Sequence, residues 1–128
     1  MKKEEKKTKV LLAEDDKFIS LAYKDGLSRA GFEVIHADNG KKALELAKKK
    51  NPDIIMLDII MPEMNGFEVL EELKKTNKIK KIPVVILSNL GQESDIEKGQ
   101  KLGAIDYMIK SNFSLGEVVD KIKKIVKK

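Results

Sequence analysis

Five polar residues of this 128-residue chain stand directly after short apolar runs. Glu14 and Asp15 follow residues 10–13, Asp58 follows 54–57, Ser88 follows 83–87 and Lys110 follows 105–109. If these runs are parallel strands of one sheet, all five side chains share one edge. Three carboxylates in one crevice repel each other, so one must hold a proton or a cation must sit among them. Oxygen-only ligation selects a hard ion. A few carboxylates, with other positions left to water and phosphate, suit Mg2+ better than Ca2+. With the ion present, Asp58 stays ionised and is able to attack phosphorus as a carboxylate nucleophile, giving an acyl phosphate. The transferring group spreads charge over its equatorial oxygens, and each needs a positive or hydrogen-bonding partner. The metal, the Lys110 ammonium and the Ser88 hydroxyl with loop amides form such a set.

Singly, these residues say less. Glu14, Asp15 and Asp16 read equally well as the acidic cap of a helix. Ser88 reads as a turn hydroxyl. Lys110 is one of 26 basic residues, of which only Arg29 is not lysine. Asp58 is harder to dismiss, because a carboxylate straight after an apolar run is costly unless solvated or paired. The joint placement carries the reading.

The elements that must position them alternate along the chain. Strand 10–13 precedes a helix over 17–30, with Ile19, Ala22, Tyr23, Leu27 and Ala30 at helical spacing and Gly31 as the stop. Strand 32–36 precedes a helix over 39–50 that buries Ala43, Leu44 and Ala47. Residues 54–57 are wholly apolar, as in a central parallel strand covered on both faces. A third helix over 66–76 opens with Asn65 and Glu68 in capping-box spacing. Strand 83–87 leads to a helix that starts with Ser94 and Glu97 as its box and ends at Gly103. Strand 105–109 leads to a last helix boxed by Ser114 and Glu117, with Leu115, Val118, Val119, Ile122, Ile125 and Val126 as its stripe. This alternation predicts an α/β fold, a doubly wound five-stranded parallel sheet with right-handed crossovers. Placing the most apolar strands at the centre gives the order 2-1-3-4-5. Ligands then bind outside the strands' carboxyl ends, at the switch point between strands one and three.

Hydrophobic residues make up 41% and charged residues 37%, the composition of a solvated globule large enough to bury a core. The absence of cysteine excludes disulfides, thiolate metal sites and a cysteine nucleophile. No apolar run approaches the roughly 18 residues of a membrane span, and the charged tail over 1–7 has no signal-peptide core. A cytoplasmic location is the expectation. The net charge of +5 sits largely at the lysine-rich ends, and aromatics are few, so no direct nucleic-acid binding is expected.

Glu14-Asp15, the segment from Leu57-Asp58 through Met61-Pro62 to Asn65-Gly66, Ile86-Leu87-Ser88 and Tyr107-Met108-Ile109-Lys110 together resemble the receiver domain of two-component response regulators. The resemblance covers about residues 8–127 and implies a receiver domain over 8–128 with a flavodoxin-like fold. It implies Asp58 as the phosphoacceptor and Mg2+ held by Glu14, Asp15, Asp58 and the backbone carbonyl of Ile60. It implies Ser88 as the switch hydroxyl, Lys110 as the phosphate-pairing lysine and Tyr107 as the aromatic that changes rotamer. The donor is then a phosphohistidine on a sensor kinase or a phosphotransfer protein. Departures stand at Ser88, where threonine is more usual, at Asn89, where the residue is usually small, and at Ser111, where proline is usual. A trans bond is expected before Ser111, since cis costs a non-proline peptide about 2.5–4 kcal/mol.

Helix four has a poor apolar stripe, with Ile96 its main anchor. It is therefore expected to move when Ser88 is drawn inward and Tyr107 fills the space, making helix four and strand five the face for a downstream protein or a missing output domain. Ile60 and Leu90 flank the acceptor with apolar side chains that orient no water, so a long-lived phosphoryl group is expected. Rival readings are a pseudo-receiver that binds partners without phosphorylation, and a haloacid-dehalogenase-type phosphohydrolase. The latter wants an acid at position 60, where Ile60 stands. An FMN carrier is disfavoured by the acidic turn after strand one. The single histidine, His36, reads as a surface residue away from the crevice.

Overall fold

The computed structural model describes residues 7–126. The elements run β1 (Lys9–Ala13), α1 (Lys17–Arg29), β2 (Glu33–Ala37), α2 (Gly40–Lys50), β3 (Ile54–Leu57), α3 (Gly66–Lys75), β4 (Val84–Ser88), α4 (Glu93–Lys101), β5 (Asp106–Ile109) and α5 (Leu115–Val126). A short 3-10 turn, Lys110–Asn112, separates β5 from α5. The five strands are parallel in the order β2-β1-β3-β4-β5, as the alternation requires.

Every residue of β3 and β4 is buried, because the sheet is covered on both faces. Strand periodicity divides the core in two. Val10, Leu12, Ile54, Met56, Val85, Leu87 and Met108 point to α1 and α5 and meet Tyr23, Leu27, Val118 and Ile122. Leu11, Ala13, Ile55, Leu57, Val84 and Ile86 point the other way, to Ala43, Ala47, Phe67, Leu70 and Leu73. Among the described residues no helix is long and apolar enough to cross a membrane.

Local chemistry sets most helix starts. In α3, the Asn65 side chain accepts from the Glu68 amide and the Glu68 carboxylate accepts from the Asn65 amide, both at 3.0 Å. Ser114 and Glu117 make the same reciprocal pair at α5, at 2.8 and 3.1 Å.

Three expectations fail in detail. Helix α4 is capped two residues earlier than Ser94, at Gln92: the Asp95 carboxylate accepts from the Gln92 amide at 3.1 Å. Asp95 holds the third position counted from Gln92, so it is the acid that reaches the orphan amide. In α1, Ala22 is exposed and Ser20 is buried instead, its hydroxyl donating to the Lys17 carbonyl at 3.0 Å. A hydroxyl that satisfies itself within the helix tolerates burial as alanine does. Leu115 lies 37% exposed at the start of the α5 stripe. Helix α4 is lightly anchored, with Ile96 only half-buried and Gly99 its one buried residue.

Candidate functional site

The carboxyl ends of β1, β3, β4 and β5 converge on a cleft of about 210 Å³ that includes Glu14, Asp15, Asp58, Ile60, Ser88 and Lys110. Asp16 divides the acidic triplet after β1. Its carboxylate caps α1 by accepting from the amides of Phe18 and Ile19 at 2.9 and 3.0 Å. Glu14 is thereby released from capping and turns inward, only 2% exposed, while Asp15 stays at the surface. One oxygen of each of Glu14, Asp15 and Asp58 lies within 4.8 Å of the others.

Lys110 completes the cluster. Its Nζ donates to Oδ2 of Asp58 at 2.8 Å and to Oε1 of Glu14. The second oxygens are also engaged: Asp58 Oδ1 accepts from the Ile60 amide at 3.3 Å and Glu14 Oε2 from the Asp16 amide at 3.0 Å. Burial favours a proton on Glu14 and raises its pKa, and the Asp58 charge adds to this, against the bonds from Lys110 and Asp16. Burial alone would lower the Lys110 pKa. Its bonds to Asp58 and Glu14 outweigh that and raise it, so the ammonium stays charged.

The loop after Asp58 is held close by Gly66, whose amide donates to the Ile59 carbonyl at 2.8 Å. A Cβ at this position would stand 2.3 Å from the Asp58 carbonyl oxygen, so glycine is required by the approach itself.

Ser88 is fully buried at the last position of β4, and its Oγ accepts from the Leu90 amide at 3.3 Å. Tyr107 lies outside the cleft lining. Its ring packs against the core and its hydroxyl donates to the Leu90 carbonyl, so Ser88 and Tyr107 both bond the backbone of Leu90 in the β4–α4 loop. Burial, with the charges of Asp95 and Asp58, pushes the Tyr107 hydroxyl up to about 12. The bond before Ser111 is trans, since the described residues contain no cis peptide.

Two contacts have no signal in the sequence. His36 is half-buried, and its Nε2–H donates to the backbone carbonyl of Glu14 at 2.8 Å. It supports the turn that aims Glu14, which corrects its reading as a surface residue remote from the crevice. Asn89 accepts through Oδ1 from the Ser111 amide at 3.1 Å. The β1–β2 register, Ala13 beside Ala37, places the ends of these strands together, and only pairing reveals that. A larger groove of about 570 Å³ lies at the opposite sheet edge, lined by Lys7, Lys9, Lys50 and Asp53 among others. The Asp53 carboxylate there already accepts from the Lys9 amide at 2.7 Å. The acidic cluster and Lys110 sit at the smaller cleft.

Comparison with known proteins agrees with this geometry. Residues 10–123 match the model of the response regulator receiver domain. The chain is 37% identical over 120 residues to the chemotaxis protein CheY of Thermotoga maritima, covering 93% of this chain and 98% of that protein. It is 40% identical over 117 residues to the probable transcriptional regulator ycf29 of Porphyra purpurea, covering 91% of this chain and 56% of that protein. It thus spans about half the length of several curated relatives it matches. The solved receiver domain of the Francisella response regulator 1452 superposes with a TM-score of 0.86 at 36% identity, covering 94% of this chain and 97% of that one. Five parallel strands in this order, an acidic cluster paired with one lysine at their carboxyl ends, and these matches lead to one conclusion: the chain belongs to the response regulator receiver family.

Proposed function

We propose that the chain accepts a phosphoryl group on Asp58 and thereby switches a protein-binding face. The observation that carries this reading is the Lys110 ammonium lying 2.8 Å from Oδ2 of Asp58, beside two further carboxylates. In the transfer, a carboxylate oxygen of Asp58 forms a bond to phosphorus as the donor's P–N bond breaks. The electron pair leaves with the imidazole nitrogen, which takes up a proton. The product is an acyl phosphate, and the donor is a phosphohistidine on a sensor histidine kinase or a phosphotransfer protein.

The donor set fits a hard divalent ion, for which Mg2+ is our assignment, with Glu14, Asp15, Asp58 and the Ile60 carbonyl as its ligands. When bound, it supplies charge compensation for the carboxylates and for the incoming phosphoryl oxygens. Lys110 pairs with one phosphoryl oxygen, and the Ser88 hydroxyl turns from the Leu90 amide to another. Leu90 loses that tie and is free to shift, and Tyr107, bonded to the Leu90 carbonyl, moves with it into the space Ser88 vacates. Helix α4 is the part free to respond, since Gly99 is its sole buried residue. The α4–β5 face is the docking surface for a downstream protein or an output domain. Neither nucleic acid nor membrane is a direct partner in this reading, and the setting is cytoplasmic. Ile60 is 62% exposed and Leu90 half-buried, and neither side chain orients a hydrolytic water, which favours a long-lived phosphoryl group.

The test is mass spectrometry after treatment with acetyl phosphate and Mg2+. One added phosphoryl group on the wild type, absent from Asp58→Ala, is the expected result. A wild type that gains none would leave the rival reading, a receiver fold that binds partners without phosphorylation. Beryllofluoride with Mg2+ should shift the amide signals of α4 and β5, and unchanged signals there would sink the switch.

A further inference from the structure

The geometry points to Asn89 as a positioning residue for Lys110, acting through the Ser111 amide; this rests on the acceptor reading above. Lys110 opens a three-residue 3-10 turn that is closed by the Phe113 amide donating to the Lys110 carbonyl at 3.3 Å. The first amides of any helical turn lack an internal acceptor and need one from outside. The residue in the cap position is Ile109, whose side chain has no acceptor to give, and no side-chain cap bond is made from it. Asn89 supplies the missing acceptor from the neighbouring strand end, with Oδ1 3.1 Å from the Ser111 nitrogen.

The placement follows from the sheet. Ser88 and Ile109 are paired in register as the last residues of β4 and β5. Asn89 is therefore one step beyond the ladder on one side, and Lys110 and Ser111 are just beyond it on the other. The side-chain bond continues the β4–β5 ladder past the point where backbone pairing stops. It also closes a second tie on the same loop, because the Tyr107 hydroxyl already holds the Leu90 carbonyl.

The consequence falls on the lysine head. A lysine side chain is a flexible stem, and its ammonium reaches both Glu14 and Asp58 only from a fixed backbone position. Without the Asn89 bond, the turn keeps only its own 3-10 closure, and the ammonium spends less time between the two carboxylates.

The test uses the full chain with Asn89→Ala, Ser111→Pro and both together. Ser111→Pro deletes the donor, so it removes the same bond from the other side. A neutral hydrogen bond of this kind corresponds to a two- to tenfold slower phosphoryl uptake from acetyl phosphate in Asn89→Ala. In the Ser111→Pro background, Asn89→Ala should change the rate no further. The wild-type Ser111 amide should exchange with solvent at least several-fold more slowly than in Asn89→Ala, while Asn89→Asp, which keeps the acceptor, should retain the protection. The Lys110 ammonium proton signal should broaden or vanish in Asn89→Ala. An unchanged rate and Lys110 signal in Asn89→Ala, or an equal effect of that substitution with and without the Ser111 amide, overturns the assignment. A wild type that takes up no phosphoryl group defeats the acceptor reading instead, and the Lys110 and Ser111 signals then decide the positioning role by themselves.

Discussion

Nζ of Lys110 stands 2.8 Å from Oδ2 of Asp58 and also bonds Glu14, so two buried carboxylates share one half-buried ammonium. Removing it strands both. Lys110→Met should therefore lose about 3–5 kcal/mol of stability at neutral pH in a chelator, the usual cost of breaking a buried pair from one side. Under the proposed assignment, Mg2+ should return part of that loss by taking over the lysine's electrostatic role. Denaturant melts with EDTA and with Mg2+ measure both effects. A variant as stable as the wild type in EDTA would show that the pairing is worth nothing.

The same variant should acquire a pH dependence with a defined sign. Burial already raises the Glu14 pKa, and the Lys110 bond, ahead of the Asp16 amide bond, opposes this. Without the lysine the folded-state value rises further above the unfolded one. Such a group gives stability that is fully present below the unfolded pKa and is lost as pH rises through the folded value. Lys110→Met should thus lie nearer to the wild type at pH 4 than at pH 8. A stability difference that stays constant over that range would contradict the assignment.

Tyr107 gives a second window. Burial and the nearby charges of Asp95 and Asp58 push its hydroxyl up to about 12 from an ordinary 10.0. Its raised value contributes stability present below pH 10 and lost as pH rises from there through about 12. Solvent screening at this half-buried site holds the effect to about 1 kcal/mol or less. Tyr107→Phe should remove that slope from the wild-type minus variant difference. A difference curve with the same slope would place the titration elsewhere.

Gly99 tests how α4 is seated. A Cβ there would stand 2.7 Å from Cδ1 of Ile86 and 3.0 Å from Cδ2 of Tyr107. Gly99→Ala must lift the helix or displace the Tyr107 ring, at about 1–3 kcal/mol for overpacking. The better helix propensity of alanine, about 1 kcal/mol, works in the opposite direction. A net loss of stability, with Tyr107 ring signals shifted, is expected. Unperturbed ring signals would mean the helix is not seated on that ring.

Most of the fold was legible because the central strands are short apolar runs and most helices carry a local stop or cap. The capping pairs at Asn65 and Ser114 need only three residues of spacing, and both formed. The α4 cap failed because two acids, Asp95 and Glu97, offered competing boxes, and only backbone geometry chooses between them. The cluster of Glu14, Asp15, Asp58 and Lys110 was legible once the sheet was parallel, since strand ends then coincide. The bonds made by His36 and Asn89 were not, because each joins residues 22 positions apart through neighbouring strand ends. Periodicity says which face a residue takes, and it is silent on which polar group waits across the gap.

Asp15 tests the proposed metal site apart from structural support. It is exposed, unlike Glu14, and its side chain makes no hydrogen bond recorded among the described residues, yet its carboxylate oxygen lies within 4.8 Å of those of Glu14 and Asp58. Asp15→Asn should therefore change stability by no more than about 0.5 kcal/mol in EDTA, as surface substitutions usually do. A ligand that binds only the folded state at a hundredfold excess over its Kd adds about 2.7 kcal/mol. The wild type should show such a rise in Tm as Mg2+ is titrated, and Asp15→Asn should need far more Mg2+ to reach it. Glu14→Gln makes the contrast, because it weakens the ion pair with Lys110 as well as the metal site and should lose stability even in EDTA. Equal Mg2+ titrations for the wild type and Asp15→Asn would remove Asp15 from the metal site and leave a pair of carboxylates to hold the ion.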